Sequence, residues 1–173
     1  KVRNLLESAN SLGMTLARLP KVTDFRPGDS DAIETKPINV ADLLGRPQVP
    51  LDLKSMGRLI QDRCVMVTGA GGSIGSELVH QICDFNPGKI ILSDNSEFAL
   101  YSVNLNVSEV WPAIPCFTEY LDIRNAAAIE RTMLRHQPDL VFHAAALKHV
   151  PIVEDHVLEG IQTNVLGTAN VAE

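Results

Sequence analysis

Two rhythms of apolar residues alternate along the chain. Short continuous apolar runs read as strands buried in a parallel sheet, and apolar positions three and four apart read as helices with one buried face. From residue 64 the order is strand 64–68, helix 73–85, strand 89–93, helix 96–110, strand 116–120, helix 125–136, strand 140–145 and a last helix from 157 through 170. Asn86-Pro87-Gly88 punctuates the second unit and Pro138 the fourth. Four strand–helix units in succession predict an α/β fold, a doubly wound parallel sheet with strand order 3-2-1-4. Leu100, Val103, Leu105 and Val107 are expected to supply core contacts from the second helix. Leu140 to Ala145 is so continuously apolar that burial of both its faces is expected.

Upstream the rhythm is looser. Val2, Leu5, Leu6, Ala9 and Leu12 recur at helical spacing and stop at Gly13, and Met14 to Leu19 then reads as a strand ended by Pro20. Residues 1–37 are therefore expected to be the tail of a preceding α/β domain. Residues 38–60 read as a linker and lead-in helix. In it Val40–Leu44 closes at Gly45, Pro47 and Pro50 stiffen the connector, and Asp52 caps a helix from Leu53 to Ile60. Residues 61–173 form the principal domain. A helical pattern at each end marks the chain as part of something longer.

The chemistry is concentrated at Thr68-Gly69-Ala70-Gly71-Gly72-Ser73-Ile74-Gly75, between the first strand and its helix. Gly69, Gly72 and Gly75 have the G-x-x-G-x-x-G spacing of a dinucleotide-binding turn in a Rossmann-like fold. One glycine reverses the chain, one lets pyrophosphate touch backbone, and one lets the helix pack close. The helix N-terminus aims free N–H groups at that phosphate. Ser73 could donate to a phosphate oxygen or act as the helix N-cap. Asp94 ends the second strand about twenty residues past the last glycine, where an acid accepts from the adenosine ribose hydroxyls. It would repel a 2′-phosphate, so NAD is expected over NADP. The alternative for Asp94 is a cap for the helix beginning near Ser96, and the two roles are compatible; Asn95 and Ser96 belong to the same turn.

Net charge is −6, with 45% apolar and 21% charged residues and no basic run, a soluble globular composition that argues against a nucleic-acid partner. Cys64, Cys83 and Cys116 are an odd set without C-x-x-C spacing, which suits a reducing cytoplasm. His149, Glu154, Asp155 and His156 lie close together, but their spacing fits no zinc motif, and no metal is expected. His143, in an apolar strand, reads as a hydrogen-bonded core histidine. Ala144, Ala145 and Ala146 are small either to let a cofactor pass or to pack against a helix. Lys148, beyond the fourth strand, could steer an anionic substrate or be an ordinary solvated lysine.

Four segments carry a resemblance: T-G-A-G-G-S-I-G-S-E-L (Thr68–Leu78), S-D-N-S-E-x-x-L-Y (Ser93–Tyr101), F-H-A-A-A-L-K-H-V-P (Phe142–Pro151) and T-N-V-L-G-T-A-N-V (Thr163–Val171). Together they resemble the bacterial polysaccharide-biosynthesis nucleotide-sugar 4,6-dehydratases, the CapD-like group of extended short-chain dehydrogenases. Asp42–Asp52 resembles their interdomain linker, and residues 1–37 resemble more loosely the end of their N-terminal nucleotide-binding-like domain. The resemblance implies oxidation of UDP-N-acetylglucosamine at C4 by tightly held NAD, loss of water across C5 and C6, and return of hydride to C6. It implies a cytoplasmic protein working at the inner membrane through an upstream region, and a homo-oligomer. It implies adenine contacts by Asp122 and Ile123, though a helix cap before Asn125 would equally place an aspartate at 122. Thr68, Gly71 and Ile74 belong with the glycine loop on the cofactor side. Asn164 resembles the family asparagine whose amide helps shape the catalytic strand and the active-site water path, and is counted with the cofactor side, though on its own it reads as a helix-surface residue. Lys148 and His149 are the candidate substrate contacts. The family's catalytic Thr/Ser-Asp-Lys segment has no counterpart here, and neither does a Tyr-x-x-x-Lys pair. This chain alone is expected to bind dinucleotide without turnover, and Leu140–Ala145 is expected to be an exposed edge prone to self-association.

Overall fold

The computed structural model describes residues 52–173, with the backbone of Ala17–Arg18 and Lys36–Pro37, which pair antiparallel. The rest of the expected strand at Met14–Leu19 and the expected helices at 1–13 and Val40–Leu44 lie outside the described residues. By internal contacts the chain divides into Lys1–Leu51 and Asp52–Glu173.

Within the second unit, α1 (Leu53–Ile60) opens under Asp52, whose carboxylate accepts the Ser55 N–H at 3.1 Å. The strands β1 (Cys64–Thr68), β2 (Lys89–Asp94), β3 (Cys116–Tyr120) and β4 (Leu140–His143) form one parallel sheet in the order β3-β2-β1-β4. Between them run α2 (Ser73–Asp84), α3 (Glu97–Val110) and α4 (Ala126–His136). Ser96 caps α3 by accepting the Ala99 N–H, and Asn125 caps α4 by accepting the Ala128 N–H. The expected topology is present, strand for strand.

The pleat of β1 sorts its side chains into two cores. Val65 and Val67 join Ile90, Leu92, Val79, Ile82 and Val103 on the α2/α3 side. Cys64 and Met66 join Ile91, Leu121, Ile123 and Ile129 on the α4 side. All five β1 residues are buried, as a central strand covered on both faces requires. In β4, Leu140, Phe142 and His143 are only half-buried and Val141 is exposed, contrary to the sequence expectation. The strand is one edge of the sheet, as the expected order places it, and apolar content alone does not show whether a face is covered. Leu105 is also exposed, whereas Leu100, Val103 and Val107 are buried. It lies off the 3.6-residue stripe that the other three define.

The expected last helix is not continuous. It is preceded by α5 (Val150–Asp155), and then α6 (Val157–Ile161), a π-helical segment (Gln162–Gly167) and α7 (Thr168–Ala172) follow one another. Strand β4 ends two residues before Ala145, and Ala144–Leu147 leaves the sheet as a loop, with the Ala144 N–H still bonded to the Thr68 carbonyl at 3.0 Å.

Two glycines fix the turn after β1. Gly69 has φ +67°, and a Cβ there would lie 2.6 Å from the Ala145 nitrogen. A Cβ on Gly75 would collide with the Gly69 carbonyl oxygen. Gly75→Ala is therefore expected to cost about 1–3 kcal/mol by overpacking against backbone. Gly57→Ala, in α1 and only in ordinary contact with Phe85, is expected to gain about 0.5–1 kcal/mol. Urea denaturation of both variants checks the contrast.

Candidate functional site

The carboxyl ends of β1, β2 and β4 and the loop after β3 converge on one cavity of about 270 Å³. Gly69, Gly71 and Gly72 form its floor, and Asp94, Asn95 and Ser96 one wall. Asp122 and Ile123 supply the β3 rim, with Ala144, Ala145 and Ala146 facing them. These same alanines line an adjoining cavity of about 300 Å³ with Ile74, Leu78, His143, Asn164 and Thr168. Thirteen of the sequence-predicted positions thus meet at two joined cavities, where open α/β sheets bind ligands.

Some predicted residues stand elsewhere. Thr68 is fully buried at the end of β1, and Gly75 is packed behind Gly69. Ser73 is the first helical residue and not the cap; Gly72 occupies the N-cap position and makes no side-chain cap bond. The first-turn N–H groups of α2 thus have no side-chain acceptor from the cap. A Cβ on Gly72 would be in close contact only with the Gly69 carbonyl oxygen, 3.3 Å away, so the space above it is open toward the cavity. Lys148 and His149 are exposed and line neither cavity. Among the described residues no group of three His, Cys, Asp or Glu is placed to hold a metal. Burial pushes the Cys83 thiol up to about 12 and Cys116 to about 11, so neither provides a thiolate nucleophile at neutral pH.

Asp94 is buried and ties the glycine turn to the sheet. One carboxylate oxygen accepts the Gly71 N–H and the other the Ser96 N–H, both at 2.9 Å. Ser96 itself caps α3, so Asp94 braces the turn and does not cap the helix. Two of a carboxylate's roughly four acceptor sites remain for ligand hydroxyls. The cap before α4 is likewise Asn125 and not Asp122.

A second network joins β1 to the far rim. The Thr168 hydroxyl donates to the Asn164 carbonyl (2.9 Å), so it must accept from His143 Nε2–H (3.0 Å). That leaves His143 Nδ1 to accept from the Thr68 hydroxyl at 2.6 Å. The direction of one hydroxyl proton thereby fixes the neutral imidazole's tautomer. The Asn164 amide grips the Leu147 backbone from both sides, accepting its N–H at 2.8 Å and donating to its carbonyl at 2.9 Å. The π-helical turn, whose extra residue rotates the side chains that follow, carries the asparagine that makes this grip. Ala99, Leu121, Leu147 and Thr163 also line the first cavity and have no motif that singles them out in the sequence.

Residues 65–173 match the family described as polysaccharide biosynthesis protein, and the chain belongs to that family. Over its whole length it is 37% identical to the capsular polysaccharide biosynthesis protein CapD of Staphylococcus aureus, of which it spans 29%. It is 36% identical over 93% of its length to the probable polysaccharide biosynthesis protein EpsC of Bacillus subtilis, of which it spans 27%. A UDP-glucose 4-epimerase of Rickettsia massiliae is 34% identical over 64% of the chain and 32% of the epimerase. Among solved structures, Pen of Bacillus thuringiensis superposes with TM-score 0.60 at 27% identity, covering 65% of this chain and 34% of Pen. The Bordetella bronchiseptica enzyme WbmG in complex with NAD gives 0.53 at 26%, covering 65% of this chain and 33% of WbmG. The chain thus spans about a third or less of the relatives it matches.

Two predictions follow from the His143–Asn164 network. Asn164→Ala should release Leu147, raising hydrogen exchange at its amide while the β1 amides stay protected; NMR exchange rates check it. Burial holds the His143 imidazole below its ordinary value of 6.5. The unfolded chain therefore binds the proton first. This contribution to stability is present above about pH 6.5 and is lost as pH falls through 6.5 toward the lower folded value. Stability between pH 7.5 and 5 should fall more in the native sequence than in His143→Gln, as measured by urea unfolding.

Proposed function

We propose that this chain is the NAD-binding part of a nucleotide-sugar 4,6-dehydratase. Its substrate is UDP-N-acetylglucosamine or a close relative, converted to a UDP-4-keto-6-deoxy sugar for bacterial capsule or O-antigen assembly. The observation that carries the reading is the convergence of an uncapped helix N-terminus, a buried acid, a glycine floor and an alanine rim on one pair of joined cavities. Gly72, Ser73 and the first turn of α2 suit a pyrophosphate. Asp94 suits ribose hydroxyls and, as an anion, disfavours the 2′-phosphate of NADP. Asp122 and Ile123 would take adenine, and Ala144–Ala146 the nicotinamide side, next to Asn164 and Ile74. The cofactor would supply reversible hydride transfer; the residues gathered here bind and orient it, and none is assigned a catalytic role. Relatives described as capsular and polysaccharide biosynthesis proteins support the pathway assignment. The NAD complex of WbmG supports the cofactor.

Residues 1–37 are proposed as the end of a nucleotide-binding-like domain and 38–60 as a linker. The whole protein is proposed as a cytoplasmic homo-oligomer at the inner membrane, with Lys148 and His149 toward the substrate. Similarity to UDP-glucose 4-epimerases favours a second reading, a nucleotide-sugar 4-epimerase or 4-reductase. A dinucleotide sensor without turnover is the remaining alternative.

Calorimetric titration should show NAD binding that Gly72→Val abolishes by placing a branched side chain in the phosphate space. Asp94→Asn should narrow the NAD-over-NADP preference by roughly 10- to 100-fold, the worth of charged hydrogen bonds plus lost repulsion. With UDP-N-acetylglucosamine, the full-length protein should form a 4-keto-6-deoxy product. A C4 epimer would favour the second reading, and NAD binding without turnover the sensor.

A further inference from the structure

Ser93, near the end of β2, is fully buried, and its hydroxyl has no hydrogen-bond partner among the described residues. Register sets Ser93 beside Thr68 of β1, and Thr68 beside His143 of β4. Residues in register share a face of a parallel sheet, and these lie two positions past Met66 and Ile91, which face the α4 core. The side chains therefore form one polar row across that face, with Glu119 of β3 on the far side of Ser93. At that end Glu119 accepts from Arg135 at 3.0 Å and is 2.6 Å from His136 Nε2. At the other end His143 Nδ1 accepts from the Thr68 hydroxyl, and its Nε2–H donates to Thr168. Ser93, in the middle, is idle.

We propose that Ser93 is the reserve acceptor of a proton switch centred on His143, and that the switch follows the charge of the ligand in the second cavity. A second proton on the imidazole turns Nδ1 into a donor toward Thr68 Oγ1, so Thr68 must send its own hydrogen elsewhere. Neighbouring strands lie about 4.8 Å apart, and a χ1 rotation of Ser93 brings its oxygen to the Thr68 hydroxyl. Thr68 then has a partner in both states, which removes the usual cost of charging a buried network. His143 Nε2–H donates to Thr168 throughout.

His143 is the one titratable residue lining the second cavity. The groups that approach it from α2 (Ile74, Leu78), from β1 (Thr68) and from the π-helical segment and α7 (Asn164, Thr168) carry no charge. Glu77 of α2, Lys148 of the β4 loop and Glu173 after α7 are exposed and line neither cavity, and Glu119 has its own cationic partners. Burial alone lowers the His143 imidazole from its ordinary value, with no neighbouring charge contributing. A ligand's charge is therefore what remains to move it. An oxidised nicotinamide ring is a cation and opposes the second proton; a reduced ring is neutral and permits it. The inference rests on the cofactor reading above and adds a regulation to it, in which proton uptake from solvent at His143 accompanies the reduced dinucleotide.

Two measurements test it. Histidine-ring NMR follows the switch, with His143→Gln assigning the resonance. Ser93→Ala should lower the pH at which His143 titrates by roughly half to one pH unit, the worth of one neutral hydrogen bond, while the melting temperature stays close to native. Calorimetry of the native chain, in two buffers of different ionisation enthalpy, counts the protons taken up when NADH and, separately, NAD bind at about pH 6. NADH should take up more. By linkage, the preference for NADH over NAD should rise several-fold as pH falls from about 7.5 to 6. Both differences should vanish in His143→Gln. Equal proton counts for the two dinucleotides in the native chain overturn the inference and leave the cofactor reading standing. An unchanged His143 titration in a folded Ser93→Ala does the same. Binding of neither dinucleotide overturns both.

Discussion

Two neighbouring segments and one distant in sequence meet at the Gly69 peptide, and the geometry of the site depends on how closely they do so. Strand β1 ends there, the first turn of α2 lies against its carbonyl, and the loop after β4 passes beside its Cα. A left-handed backbone at Gly69 turns the chain away from the sheet. The missing side chain at Gly75 lets the helix N-terminus settle onto the turn. Neither contact contributes much by itself. Their effect is to point the free N–H groups of α2 into the space between Asp94 and the alanines of the β4 loop. Burial then holds the arrangement, because Val65 and Val67 anchor one face of β1 and Cys64 and Met66 the other.

Around that junction, polar groups act as spacers between rims. Asp94 links β2 to the glycine turn, the Thr68–His143–Thr168 chain links β1 to α7, Asn164 grips the β4 loop, and Arg124 ties the β3 loop to α6. Each uses side chains on elements that the apolar core has already brought near. A solvent-exposed ion pair such as Arg124–Glu159 adds little to stability. Its contribution is to orientation more than to stability.

The sheet order, the cap at Asp52 and most of the cavity lining were legible in the sequence because each rests on local chemistry, whereas the caps of α3 and α4 fell to Ser96 and Asn125 and not to the aspartates read there. Strand runs, cap residues and glycine spacing act within a few positions of one another. What was not legible depends on distant partners. Leu105 reads as apolar whether or not a neighbour covers it, and β4 reads as buried on both faces although Val141 is exposed and the rest of the strand only half-buried. Of the two roles open to Ser73, the cap went to Gly72 one residue earlier, which has no side chain to offer. The π-helical turn and the Arg124–Glu159 tie are set by tertiary packing, and nothing in the local pattern at 157–170 or at 124 announces them.

The bare cap at Gly72 has a consequence for the protein's persistence. A helix start with no side-chain acceptor is left to solvent until an anion arrives, so whatever anion settles there completes the secondary structure as well as occupying a site. Species that bind only the folded chain draw the population toward it by mass action, by about 2.7 kcal/mol at a hundredfold excess over the dissociation constant. If that anion is the dinucleotide, its abundance helps set how long each molecule escapes proteolysis.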